Sequence, residues 1–127
     1  MPNHRILLAD DEAALRFLLT ETLADEGYDI TEAEDGREAL DYIRTQAYDL
    51  IILDYMMPEY TGVEVCEWLR HNDNANKQVP VILLTAKALE KDKERAKAAG
   101  VTQYIVKPFS PLQLLDTVQE LIESTSE

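Results

Sequence analysis

Leu50-Ile51-Ile52-Leu53 runs straight into Asp54, Ile6-Leu7-Leu8-Ala9 into Asp10-Asp11, Val81-Ile82-Leu83-Leu84 into Thr85, and Tyr104-Ile105-Val106 into Lys107-Pro108. Short, continuously apolar runs are expected of strands buried on both faces, and a parallel sheet covered by helices on each side buries its strands that way. Longer amphipathic stretches separate the runs, the alternation of repeated βα units, and no internal sequence repeat accompanies it. In an open parallel sheet the carboxyl ends of the strands line one crevice, so the four terminating groups are expected to converge. Carboxylates beside one hydroxyl and one ammonium suit a magnesium ion and a phosphoryl group.

Asp29-Ile30-Thr31-Glu32-Ala33 alternates instead, which marks a half-exposed edge and places the second strand at one margin of the sheet. Leu15, Leu18, Leu19 and Leu23 form the apolar stripe of a first helix that Gly27 terminates. Gly36 precedes a second helix with Ala39, Leu40 and Ile43 inward, and Gly62 a third with Val63, Cys66 and Leu69. A polar loop from His71 to Gln78 then leads to Pro80. Ser110-Pro111 reads as an N-cap with proline at the first helical position, opening a last helix with Leu112, Leu115, Val118 and Ile122 on one side. Five strands and five helices are expected.

The helix between Ala86 and Ala99 differs, with Leu89 as its only large apolar residue and Ala96 and Ala99 completing its inner stripe. An element that buries so little is locally weak and easily shifted. Lys87, Lys91, Lys93, Arg95 and Lys97 oppose Glu90, Asp92 and Glu94 there, so the segment is basic within a protein of net charge -13. This pattern reads either as a solvated face laced with ion pairs or as a mobile docking surface for an acidic partner.

A chain of 127 residues, 46% hydrophobic, fits one domain over 1–127, with a core spanning about 5–122 and Glu123 to Glu127 as a tail or the start of a linker. Twenty-five acids against twelve bases argue against direct binding to nucleic acid or an anionic membrane. Cys66 is the only cysteine, which excludes an internal disulfide, and His4 and His71 do not complete a zinc-ligand spacing with it. Only four apolar residues precede the first acids, too few for a signal peptide or a membrane span, so a cytoplasmic location is expected.

Asp10 and Asp11 repel one another unless a cation relieves them, and a hard divalent ion does so well. Mg²⁺ prefers one or two carboxylates with waters and phosphate oxygens, which Asp11 and Asp54 supply, with Asp10 acting through water. A simpler reading has Asp10-Asp11-Glu12 capping the first helix, worth about 1 kcal/mol, but it leaves Asp54 unexplained. Asp54 is the candidate nucleophile, able to form an aspartyl phosphate once the incoming charge is neutralised. Lys107 can pair with that carboxylate and then with phosphoryl oxygens, its direction fixed by a rigid turn at Pro108 that is open to the cis form. Thr85 can donate its hydroxyl to a phosphoryl oxygen or cap the next helix.

Asp10-Asp11, Asp54-Tyr55-Met56-Met57-Pro58 with Gly62, Thr85-Ala86, Ala99-Gly100, and Tyr104 ahead of Lys107-Pro108-Phe109 together resemble the receiver domain of two-component response regulators, of the single-domain chemotaxis type, from Arg5 to about Ile122. The resemblance implies an α/β flavodoxin-like (βα)5 fold, a doubly wound parallel five-stranded sheet of order 2-1-3-4-5. It implies that Asp54 is the phosphoacceptor, that Asp11, Asp54 and the Met56 backbone carbonyl bind Mg²⁺, for which Mn²⁺ can substitute, and that Asp10 helps through water. Thr85-Ala86 and Lys107 would recognise the phosphoryl group. Tyr104 would swing inward as Thr85 moves, altering the surface formed by the 86–99 helix, the fifth strand and the last helix, whereas by pattern alone it is an edge-strand core aromatic.

The same resemblance implies a regulatory domain that assists its own phosphorylation rather than an enzyme with external substrates. Its donor would be a sensor histidine kinase or phosphotransfer protein, and its target a downstream protein or a fused output domain, as a monomer or a phosphorylation-dependent dimer. Met56 and Lys87 flank the expected phosphoryl group, where their bulk and charge would hinder an attacking water. Three other readings compete. An Asp-nucleophile phosphatase of the haloacid dehalogenase type needs a second acid where Met56 stands. A flavodoxin cradles phosphate with hydroxyls and glycine in its first loop, where Asp10-Asp11-Glu12 would repel it. A receiver-like interaction module without phosphorylation would have no use for the intact acids.

Overall fold

A computed structural model describes residues 3–86 and 90–125. Its elements follow in strict alternation: β1 Arg5–Ala9, α1 Ala13–Ala24, β2 Asp29–Ala33, α2 Gly36–Thr45, β3 Leu50–Asp54, α3 Gly62–His71, β4 Val81–Thr85, α4 Glu90–Ala98, β5 Gln103–Val106 and α5 Pro111–Thr125. The strands form one sheet in the order β2-β1-β3-β4-β5, and every neighbouring pair is parallel. This is the flavodoxin-like arrangement expected above.

Because successive side chains point to opposite faces, each central strand serves two cores. Leu7, Ala9, Ile51, Leu53, Val81 and Leu83 pack with Ala39, Leu40 and Ile43 of α2 and Val63, Cys66 and Leu69 of α3. Ile6, Leu8, Leu50, Ile52, Ile82 and Leu84 pack with Leu19 and Leu23 of α1 and Leu114, Val118 and Ile122 of α5. β3 and β4 are buried along their whole length, whereas β2 is half exposed, as its alternation predicts for an edge.

Side-chain caps set the starts of α2, α3 and α5. Asp35 accepts the Glu38 amide at 2.8 Å, Thr61 and Glu64 form a reciprocal capping box, and Ser110 Oγ accepts the Gln113 amide at 3.1 Å, the role read from Ser110-Pro111. Gly62 starts α3 hard against the end of β3, where a Cβ would collide with the Asp54 carbonyl oxygen.

Two stripe residues differ from expectation. Leu18 is 47% exposed and Leu112 is 67% exposed. The inward line of α1 is Leu15, Leu19 and Leu23, which leaves Leu18 about 100° round the helix towards solvent. In α5 the line through Val118 and Ile122 begins at Leu114, one turn before Val118, while Leu112 sits in the first turn. α4 buries only Ala96 within its bounds, in keeping with a weakly anchored element. Lys87 and Leu89, which figure in the sequence reading of that segment, lie outside the described residues. Among the described residues no helix is long and apolar enough to cross a membrane.

Candidate functional site

Register brings the acids together. Ala9 pairs with Leu53, so the next residues along β1 and β3 are Asp10 and Asp54 at the same edge of the sheet. Thr85 pairs with Val106, and the Lys107 amide donates to the Thr85 carbonyl at 2.7 Å, which delivers Lys107 to that edge; the Lys107-Pro108 bond that follows is cis. Asp10, Asp11 and Asp54 each offer a carboxylate oxygen within 4.8 Å of the others. Lys107 Nζ lies 3.1 Å from Asp54 Oδ1 and 3.7 Å from Asp10 Oδ2.

Asp10 and Asp54 are buried and Asp11 is exposed. Burial pushes the Asp54 carboxyl up to about 6, the Asp10 charge adds to this, and Lys107 pulls the other way. Burial raises Asp10 as well, against the Glu12 amide and Lys107. At Lys107 burial acts to lower the pKa, but the attraction of Asp10 and Asp54 outweighs it and the ammonium is held above its ordinary value. Among the described residues one lysine therefore faces three acids, a deficit of positive charge that a hard cation with oxygen ligands would fill. Asp10 Oδ2 is buried and accepts no hydrogen bond from the described residues, as befits an oxygen reserved for a cation or its water. The capping reading of these acids has little support, because the N-cap Glu12 makes no side-chain cap bond and the first turn of α1 holds no acid.

Thr85 is buried at the tip of β4 and shares a cavity of about 10 Å³ with Tyr55, Asp92, Lys93 and Tyr104. That volume is close to the space one water molecule needs. Tyr104 is half buried, with the Lys93 ammonium 5.6 Å from its ring centre, and both side chains border the cavity beside Thr85. Ala86 follows Thr85 on an exposed bend, and the Met56 side chain, two residues past Asp54, is 62% exposed. The structure thus gathers Asp10, Asp11, Asp54 and Lys107 by direct proximity and joins Thr85 to them through the Lys107 backbone. Tyr104 stands one layer back.

Two participants were not singled out from the sequence. Arg16 donates from Nη1 to the Asp10 carbonyl at 2.7 Å, yet an arginine among the polar positions of an amphipathic helix looks like any solvated one. Asp92 presents in the cavity wall a buried Oδ2 without a hydrogen-bond partner among the described residues, and its place in an alternating charge run concealed this.

Residues 6–119 match the response regulator receiver domain. The transcriptional regulatory protein ResD of Bacillus subtilis is 44% identical over 97% of this chain and 50% of its own length. The chain spans about half the length of the curated relatives it matches. Among solved structures, the chemotaxis response regulator CheY4 of Vibrio cholerae superposes with a TM-score of 0.88 at 37% identity, covering 94% of this chain and 99% of that one. The receiver domain of a sensor histidine kinase of Pseudomonas aeruginosa PAO1, with a magnesium ion coordinated in its active-site cleft, superposes with a TM-score of 0.86 at 32% identity, covering 96% and 99%.

Proposed function

This chain belongs to the response regulator receiver domain family, and on that premise we propose that Asp54 is the side chain whose phosphorylation switches it. The observation that carries the assignment is the meeting of three carboxylates within 4.8 Å, with Asp54 the one in closest contact with Lys107. Asp11, Asp54 and the Met56 carbonyl would hold Mg²⁺, with Asp10 acting through water, and Mn²⁺ can take its place. The ion supplies charge neutralisation for the transferring phosphoryl group.

The chain's own groups do the rest. An Asp54 carboxylate oxygen attacks phosphorus in line as the donor's phosphorus–nitrogen bond breaks, the donor being a phosphohistidine on a sensor kinase or phosphotransfer protein. Lys107, already 3.1 Å from Asp54, shifts its charge to a phosphoryl oxygen, and the Thr85 hydroxyl donates to another. Thr85 moving towards the phosphoryl group enlarges the small cavity it shares with Tyr104, which lets the ring turn inward and alters the surface of α4, β5 and α5. Hydrolysis of the acyl phosphate resets the switch. The altered surface acts on a downstream protein or on a fused output domain, and the domain assists its own modification without turning over an external substrate.

Incubation with acetyl phosphate and Mg²⁺ tests the assignment. A phosphoryl adduct on the native chain that is absent from Asp54→Asn supports it, and an adduct on both, or on neither, contradicts it.

A further inference from the structure

Asp10 has four hydrogen-bonding atoms, and three are tied down. Its amide donates to the Ala33 carbonyl at 3.1 Å, its Oδ1 accepts the Glu12 amide at 2.9 Å, and its carbonyl accepts Arg16 Nη1 at 2.7 Å. Oδ2, the atom facing Lys107, has no hydrogen-bond donor among the described residues. Arg16 is itself clamped, with Nε 3.1 Å from Glu32 Oε1 and Nη2 3.5 Å from Glu34 Oε1, and its side chain is 12% exposed. One planar guanidinium thus joins α1, the β1–α1 loop and the end of β2.

The carbonyl that Arg16 holds belongs to the Asp10-Asp11 peptide. A peptide unit is planar, so fixing its oxygen also fixes the amide and Cα of Asp11. Asp11 is the exposed member of the acidic trio, and the repulsion of Asp10 and Asp54 would otherwise turn it out to solvent. Mg²⁺ tolerates little departure from octahedral geometry, so its affinity is sensitive to such a displacement.

Resting on the reading of the site given above, we propose that Arg16 is a positioning residue that fixes the Asp10-Asp11 peptide and so sets the affinity of the acidic cluster for Mg²⁺, touching neither the ion nor the phosphoryl group. The sign of its effect separates this from bulk electrostatics. Removing a cation beside an acidic cluster should tighten Mg²⁺ binding if charge alone matters. Loss of a positioning contact weakens it, typically by about 10–100-fold where an outer-shell partner of a metal ligand is removed.

Calorimetric titration of the full chain with MgCl₂, comparing native, Arg16→Ala and Arg16→Lys, decides the matter, with circular dichroism recorded on the same samples. Arg16→Ala is expected to bind Mg²⁺ about tenfold more weakly while folded, and its phosphorylation by acetyl phosphate should recover at saturating Mg²⁺. Arg16→Lys keeps the charge, but its single nitrogen lacks the spread of the guanidinium fork that reaches the Asp10 carbonyl, Glu32 and Glu34 together, so it should fall between the two. Native or tighter affinity in Arg16→Ala overturns the proposal. Should that variant not fold, native affinity in Arg16→Lys overturns it equally. A native chain that binds no Mg²⁺ contradicts the site reading itself, whereas native binding with unaffected variants contradicts only the role of Arg16.

Discussion

Lys107 Nζ lies 3.1 Å from Asp54 Oδ1 and 3.7 Å from Asp10 Oδ2, so one ammonium is divided between two buried carboxylates. It balances neither fully, and the metal-free site carries an electrostatic penalty that a divalent cation or protons relieve.

The first consequence is a pH dependence with a definite sign. Folded Asp54 has its pKa pushed from 3.8 to about 6, and Asp10 is raised too. Between those values the native state binds more protons than the unfolded chain, so stability falls as pH rises through the window. In EDTA, urea midpoints should therefore drop from pH 4.5 to pH 7, and Asp54→Asn should flatten that slope. At pH 7 the variant should be the more stable protein, by on the order of 1–3 kcal/mol. Added Mg²⁺ should raise the native midpoint at pH 7 more than at pH 4.5.

Lys107→Ala should behave in the opposite way. Removing the ammonium strands two buried acids, which costs about 1–3 kcal/mol without metal at pH 7 and less at pH 4.5, where protons neutralise them. Denaturation with and without Mg²⁺ at the two pH values checks this, and a loss independent of both would contradict the pairing.

Gly62→Ala places a methyl group against the Asp54 carbonyl and 2.8 Å from Leu83 Cδ1. We expect a loss of about 2 kcal/mol or more, with slowed phosphorylation, because the end of β3 must shift. Gly27→Ala is the control: its φ is +92° but nothing lies within 4 Å of an added Cβ, so only backbone strain of about 1–2 kcal/mol is expected, with phosphorylation unchanged. Urea unfolding and phosphorylation kinetics on both variants give the comparison.

Met56 is well exposed two residues beyond Asp54, so Met56→Asn should leave stability within about 0.5 kcal/mol. It should accelerate loss of the phosphoryl group in Mg²⁺ by opening a path for water and supplying a polar group to orient it. Decay that is unchanged or slower argues against shielding by Met56.

The positions of Asp10, Asp54, Thr85 and Lys107 were legible because a parallel sheet sends every strand tip to one edge, so an apolar run followed by a reactive side chain carries spatial information. The β2 edge was legible from alternation, and the start of α5 from Ser110-Pro111. Leu18 and Leu112 were misassigned because stripes with spacings of three and four residues overlap within a turn, and only packing against Leu19 and Leu114 selects between them. Arg16 and Asp92 were hidden for a related reason. Their roles depend on which neighbour buries one polar atom, and the residue types alone carry no sign of that.

The most direct measurement is intact mass after incubation with acetyl phosphate and Mg²⁺, with the adduct located by hydroxylamine cleavage or peptide mapping. A single hydroxylamine-labile and base-labile phosphoryl group on Asp54, not formed in Asp54→Asn or when EDTA replaces Mg²⁺, is the predicted result. An adduct on another side chain, or one formed equally without metal, would contradict the account.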